Sequence, residues 1–302
     1  AEESGEDRHL VATTGLGCDR FRSRRHVGKE HHASLAESRL VLDQRPHQWT
    51  SFVAMGDSFT EGLEDVGPDG SYRGWADLVA TGLAAGTPGF RYANLAVRGR
   101  LLPQIVAEQV PRALAMQPDL VSIVGGVNDL LRPGFDAAAL YRRLDAAVGR
   151  LRGSGADVLL VVGVNPTARS KALTRVMPRI RALNSAVATI AERHDCLPVN
   201  LFHATVFDDA RMWAPDRLHL SSAGHERVAG AYLEVLGLGD ASWREPLPPA
   251  EVDASTWWSA RRSDAEWASS HLLPWLGRRF HGQSSGAEVA AKRPVLVSLG
   301  DA

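Results

Sequence analysis

Ser58 stands in Gly56-Asp57-Ser58-Phe59, directly after the short apolar run Ser51-Phe52-Val53-Ala54-Met55. Far downstream, Asp216-Arg217-Leu218-His219 sets a carboxylate and an imidazole three residues apart. A serine hydroxyl is a weak nucleophile near neutral pH. It needs a base within hydrogen-bond reach, and the base needs a group that orients it. His219 is the candidate base. Asp216 can accept from its Nδ1–H, which selects the tautomer and stabilises the imidazolium. In a tight turn, or in the first turn of a helix, this spacing lets both side chains face one way. Taken alone, the pair reads more simply as a cap beside a surface histidine. The upstream segments reverse that preference.

Attack on an ester carbonyl creates an oxyanion, which needs preorganised donors. The Ser58 backbone N–H is the first candidate. Gly99, closing Asn94-Leu95-Ala96-Val97-Arg98-Gly99, is the second, because a glycine lets the backbone approach a substrate closely. The Asn128 amide, in Gly125-Gly126-Val127-Asn128-Asp129, is the third. Read singly, Gly99 and Asn128 are ordinary turn residues. Asp57 and Asp129 flank the reactive positions and are expected to hold the loops through backbone hydrogen bonds. Arg98 and Trp213 are candidates for lining an acyl or alcohol pocket, with core packing or surface display equally compatible.

These residues need a frame that brings them together. From residue 51 to about 236, strand and helix patterns alternate. Candidate strands are 51–56, 91–95, 119–124, 157–164 and 197–201; candidate helices are 73–85, 101–115, 136–152, 173–194 and 221–236. Several strands are near-continuous apolar runs, as parallel strands covered on both faces should be. Asp136 and Ser221 or Ser222 are candidate N-caps. Asp216–His219 is expected to open a helical pattern. The alternation predicts right-handed βαβ units in a three-layer α/β/α sandwich. Such sheets bind ligands beyond the carboxyl ends of their strands, where Ser58, Gly99 and Asn128 fall.

Across residues 50–236 the chain resembles the GDSL (SGNH) hydrolase family. Gly56-Asp57-Ser58-Phe59 is similar to its first block, with Phe59 where leucine is usual. Gly99 matches the glycine of the second block, Gly125-Gly126-Val127-Asn128-Asp129 the third, and Asp216-Arg217-Leu218-His219 the DxxH of the fifth. Four blocks in order carry the resemblance, and uncharacterised actinobacterial members look most alike. It implies Ser58 as nucleophile, His219 as general base and acid, and Asp216 as its orienting partner. Ser58, Gly99 and Asn128 become the oxyanion donors. It also implies a flavodoxin-like sheet of about five parallel strands, no metal or organic cofactor, and an open site that takes short acyl esters. A carbohydrate acetylesterase, a lysophospholipase or a thioesterase would share every motif. A non-catalytic module binding phosphorylated ligands through Gly125-Gly126 is the alternative from another class, and it leaves the Asp216/His219 spacing unexplained.

The rest of the chain bounds these readings. Its 302 residues are 44% hydrophobic and 23% charged, with net charge −1, which gives no basic balance for nucleic acid. Cys18 and Cys196 are too few for a disulfide framework or zinc site. His219, His225 and Asp216 lack a metal-ligand spacing. No apolar stretch reaches membrane-span length, and no leader pattern is seen, so a cytoplasmic location is the default expectation. Residues 1–47 are expected to be an extension, disordered or loosely docked, before a domain at 48–240. Residues 241–302 are expected as a C-terminal extension, with a helix at 257–280 rich in tryptophan and a polar, mobile remainder at 281–302. Packing of that helix on the sandwich is favoured over peripheral surface contact or a lid. Gly282-Gln283-Ser284-Ser285-Gly286 fits the G-x-S-x-G string but lacks the strand and helix that motif requires.

Overall fold

The strand Ser51–Met55 (β1) is buried along its whole length, as an apolar run must be when helices cover both faces of a sheet. A computed structural model describes residues 49–132, 134–165, 174, 176–248, 286 and 289–299. After β1 come helices Ser58–Glu61 (α1) and Trp75–Ala85 (α2), strand Arg91–Asn94 (β2), and the short helix Leu102–Gln104 (α3). A π-helical turn, Ile105–Gln109, then leads into Val110–Met116 (α4) and strand Leu120–Ile123 (β3). Helices Val127–Leu130 (α5) and Ala137–Gly153 (α6) precede strand Asp157–Val162 (β4). Helix Met177–Arg193 (α7), strand Leu197–Asn200 (β5), helix Ser222–Val235 (α8) and strand Arg293–Ser298 (β6) complete the order.

The sheet runs β5-β4-β3-β1-β2-β6. Its first five strands are mutually parallel. The strand period divides the core into two layers. Val53 and Met55 face a cluster built with α3, α4, α6 and α7, whereas Phe52 and Ala54 face α2 and α8. Trp75 of α2 stacks on Tyr232 of α8, with centroids 4.1 Å apart. Asp136 caps α6 by accepting from the Ala138 and Ala139 N–H groups, and Ser221 caps α8 through the Gly224 N–H. The expected α/β sandwich is therefore the fold. Because β1 lies between β2 and β3, the chain reverses direction across the sheet there, and the crevice at this switch faces the ends of β1 and β3.

Three local expectations are corrected. Residues 293–298, expected within a polar mobile tail, form β6, which pairs antiparallel to β2, so the sheet has six strands rather than five. Val295 and Val297 are exposed and Leu296 packs only partly buried on the core, so this edge strand carries no buried apolar stripe to announce it. The helix expected over 101–115 runs without interruption over 102–116 but carries a π turn just ahead of Pro111, which lacks an N–H and whose ring disfavours a regular preceding turn. Residues 213–220 are a looped turn bridged by Trp213 and Leu220, and the helix starts only at Ser222. Residues 1–47, the stretch 257–280 and Ser284 lie outside the described residues. Among the described residues, no helix is long and apolar enough to cross a membrane.

Candidate active site

At the end of β1 the backbone packs so closely that only glycine fits at 56. A Cβ there would lie 2.6 Å from Thr60 Oγ1 and 2.8 Å from the Val124 carbonyl. The Gly56 N–H donates to Gln109 Oε1 (2.8 Å), and Gln109 Nε2 donates back to the Gly56 carbonyl (2.9 Å). Asp57 then caps α1 by accepting from the Phe59 N–H, and Ser58 is the first residue of that helix.

The loop before α8 carries Asp216 and His219. Asp216 Oδ1 accepts from the Leu218 and His219 N–H groups at 2.9 and 3.0 Å. Arg217 between them takes a left-handed conformation, φ 56°. This turn aims Asp216 Oδ2 at His219 Nδ1, 2.5 Å away, and His219 Nε2 at Ser58 Oγ, 3.1 Å away. Burial by itself would raise the Asp216 carboxyl. The His219 imidazole and the two N–H groups outweigh it and bring the carboxyl down to about 2. An ionised Asp216 holds the proton on His219 Nδ1, which leaves Nε2 as the acceptor for the Ser58 hydroxyl.

Asn128, on α5 just beyond β3, donates through Nδ2 to Asp57 Oδ2 (3.0 Å) and to the Arg100 carbonyl (3.1 Å). Burial pushes the Asp57 carboxyl up to about 6, against the Phe59 N–H and the charge of His219. Asp129 Oδ2 accepts from the Leu102 N–H at 3.0 Å, tying the β3 loop to α3. Gly99, in the loop after β2, has φ 74°.

The GDSL-like Lipase/Acylhydrolase family matches residues 54–227, more than half of the chain. The chain belongs to that family. Comparison with curated proteins finds no match. Solved structures similar to this family member include LAE5, an alpha/beta hydrolase enzyme from the metagenome of Lake Arreo. It is 22% identical with a TM-score of 0.53, over 64% of this chain and 97% of its own. Axe2, an acetylxylan esterase from Geobacillus stearothermophilus, is 21% identical with a TM-score of 0.53, over 64% and 97%. TesA is 26% identical with a TM-score of 0.51, over 62% and 99%.

Beside Ser58 and His219 opens a cavity of about 260 Å³. Trp213 lines it; its Nε1–H donates to the Phe207 carbonyl. Its apolar wall includes Leu144, Val161, Val176, Ile180, Leu183 and Val187. Ile180, Leu183, Asn184 and Val187 follow helical spacing on one face of α7. The polar groups away from Ser58 are already engaged. Asn184 exchanges both its amide groups with the Gly163 backbone. His225 accepts from the Trp75 N–H at Nδ1 and donates from Nε2 to the Leu63 carbonyl.

Arg98 is not among the described residues that line this cavity. Its guanidinium binds the buried Glu61 of α1 and covers the Tyr72 ring at 4.8 Å. Gln109, Glu61, Asn184 and His225 were not singled out for the site from the sequence. Gln and Glu in a helical stretch ordinarily read as solvent-facing, and only their near-complete burial marks them.

Proposed function

We propose that this family member is a serine ester hydrolase that works through an acyl-enzyme and accepts medium-length acyl chains. The observation that carries the reading is the hydrogen-bonded series Asp216–His219–Ser58 at the mouth of an apolar cavity. Ser58 Oγ attacks the carbonyl carbon and passes its proton to His219 Nε2, while Asp216 stabilises the imidazolium. The carbonyl oxygen becomes an oxyanion facing the Ser58 N–H, the Gly99 N–H and the Asn128 amide. Both Asn128 Nδ2 hydrogens have acceptors at rest, so donation to the oxyanion exchanges one of them, and we assign the exchanged bond to the Arg100 carbonyl. Collapse expels the alcohol, protonated by His219. Water deprotonated by His219 then attacks the acyl-enzyme and releases the acid.

The short-chain preference implied by the family resemblance is revised here on the cavity. An acetyl group would leave most of that apolar wall uncovered, whereas a hexanoyl to decanoyl chain buries its methylenes at about 0.8 kcal/mol each. No Lys or Arg is among the described lining residues, which weighs against a phosphorylated ligand. The test is hydrolysis of p-nitrophenyl esters from acetate to palmitate by wild type and Ser58→Ala. The expected result is an optimum between hexanoate and decanoate and loss of turnover in the variant. Full turnover by Ser58→Ala would sink the assignment.

A further inference from the structure

We propose that the C-terminal segment carrying Gly286, Lys292 and β6 is a clasp that positions the Val97–Arg100 loop, and through it the Gly99 oxyanion donor. The proposal rests on the reading of Ser58 and Gly99 given above. The segment lies outside the residues 54–227 matched by the family, so it is an addition to the part of the chain that carries the motifs.

The Val97–Arg100 loop is gripped from two sides. From the side of the nucleophile, Glu61 of α1 accepts from the Arg98 backbone N–H at 2.7 Å and from the Arg98 guanidinium. From the other side, Gly286 packs on the Arg98 carbonyl. A Cβ at 286 would lie 2.1 Å from that oxygen and 2.9 Å from Val97 Cγ1. The first group is backbone and cannot swing away, so any side chain at 286 has to displace the peptide that joins Arg98 to Gly99.

The segment that brings Gly286 to this place is itself anchored. β6 pairs with β2, the strand that leads into the loop, with Arg293 opposite Asn94. One residue earlier, Lys292 Nζ donates to the Tyr72 and Arg73 carbonyls and pairs with Asp77 of α2. Tyr72 is the ring covered by Arg98. The anchor and the loop therefore meet at Tyr72, through its carbonyl and its ring, and Asn94 at the end of β2 adds a tie by donating to the Thr60 carbonyl of α1. A displacement near 1 Å of a catalytic donor is enough to cost roughly 100-fold in rate, so a clasp that fixes this peptide bears on turnover without touching substrate.

The test uses the full chain and the graded pair Gly286→Ala and Gly286→Val, with Lys292→Met as an independent release of the anchor. The readouts are kcat and KM on the best p-nitrophenyl ester, amide hydrogen exchange at residues 97–100, and the thermal midpoint. A positioning role predicts that Gly286→Val lowers kcat roughly 10- to 100-fold with KM little changed. Ala should fall between wild type and Val, and exchange at the Arg98 amide should quicken. Lys292→Met should move both readouts the same way. A merely structural role would lower the midpoint and leave kcat of the folded enzyme intact, which overturns the proposal. Faster exchange with unchanged kcat also overturns it, because the loop would then be held without consequence for the oxyanion. Should Gly286→Val not fold, Ala and Lys292→Met decide on the same criteria. Should ester turnover survive Ser58→Ala, the hydrolase reading fails, and the exchange measurement still reports whether the clasp holds the loop.

Discussion

Two buried titratable side chains near the site have their proton affinities moved in opposite directions. Burial pushes the His225 imidazole down to about 4 and the Asp57 carboxyl up to about 6. Between pH 6.5 and 4 the unfolded chain protonates its histidine while native His225 stays neutral, so this group's contribution to stability is lost as the solution is acidified. Over nearly the same window native Asp57 holds a proton that the unfolded chain has released, so its contribution grows on acidification. The two offset each other in wild type. His225→Asn removes one of them. The cost of that substitution, from urea unfolding at pH 7 and pH 4, should therefore shrink by about 3 kcal/mol at the lower pH. A cost equal at both pH values would refute the neutral buried imidazole. Asp216 acts lower still: its carboxyl, held near 2, supports stability that disappears only as pH falls from the ordinary carboxylate range through 2.

At the scale of elements, the π turn is the feature with the clearest consequence. It turns Gln109 inward, 3% exposed, where its amide closes two hydrogen bonds with the Gly56 backbone. Gln109→Leu keeps the volume roughly constant and leaves the buried Gly56 N–H without its partner, while the Gly56 carbonyl keeps the Val97 N–H. At about 1–3 kcal/mol per unsatisfied group, a destabilisation of about 2 kcal/mol is expected in urea unfolding, along with lower kcat because Ser58 is two residues away. An unchanged midpoint would mean that the β1 exit is held by other contacts. The same reasoning explains why the strand–helix alternation was legible while this turn was not. Helix periodicity reports which side of a local stretch is apolar, and Gln109 is a polar residue buried for the sake of a strand 53 positions earlier.

For the molecule as a whole, the cavity is where fold and specificity meet. It lies by the ends of β3 and β4 and is lined by Leu144 of α6 and by Ile180, Leu183 and Val187 of α7, so part of its wall comes from helices that carry none of Ser58, Asp216 and His219. Val187 sits on its wall, 6% exposed. Val187→Phe should fill part of the cavity and move the ester optimum toward butyrate or acetate, while turnover of p-nitrophenyl acetate persists. An unchanged chain-length profile would place the acyl group elsewhere on the surface.

The five parallel strands and most of their helices are legible in the residues alone, because fully buried strands must be continuous apolar runs and amphipathic helices must repeat their apolar residues. The sequence also singles out Ser58, Asp216 and His219, whose residue types have a chemical use in common; the structure brings the three within hydrogen-bond distance. The sixth strand, the Gln109 contact, the Glu61–Arg98 pair, the Lys292 anchor and the apolar lining of the cavity emerge only from the folded chain. Each of these depends on groups far apart in the chain, 215 positions for Lys292 and Asp77. Residue type and local period record how a segment meets its own layer of the core. They carry no record of which distant backbone or charge will be folded against it.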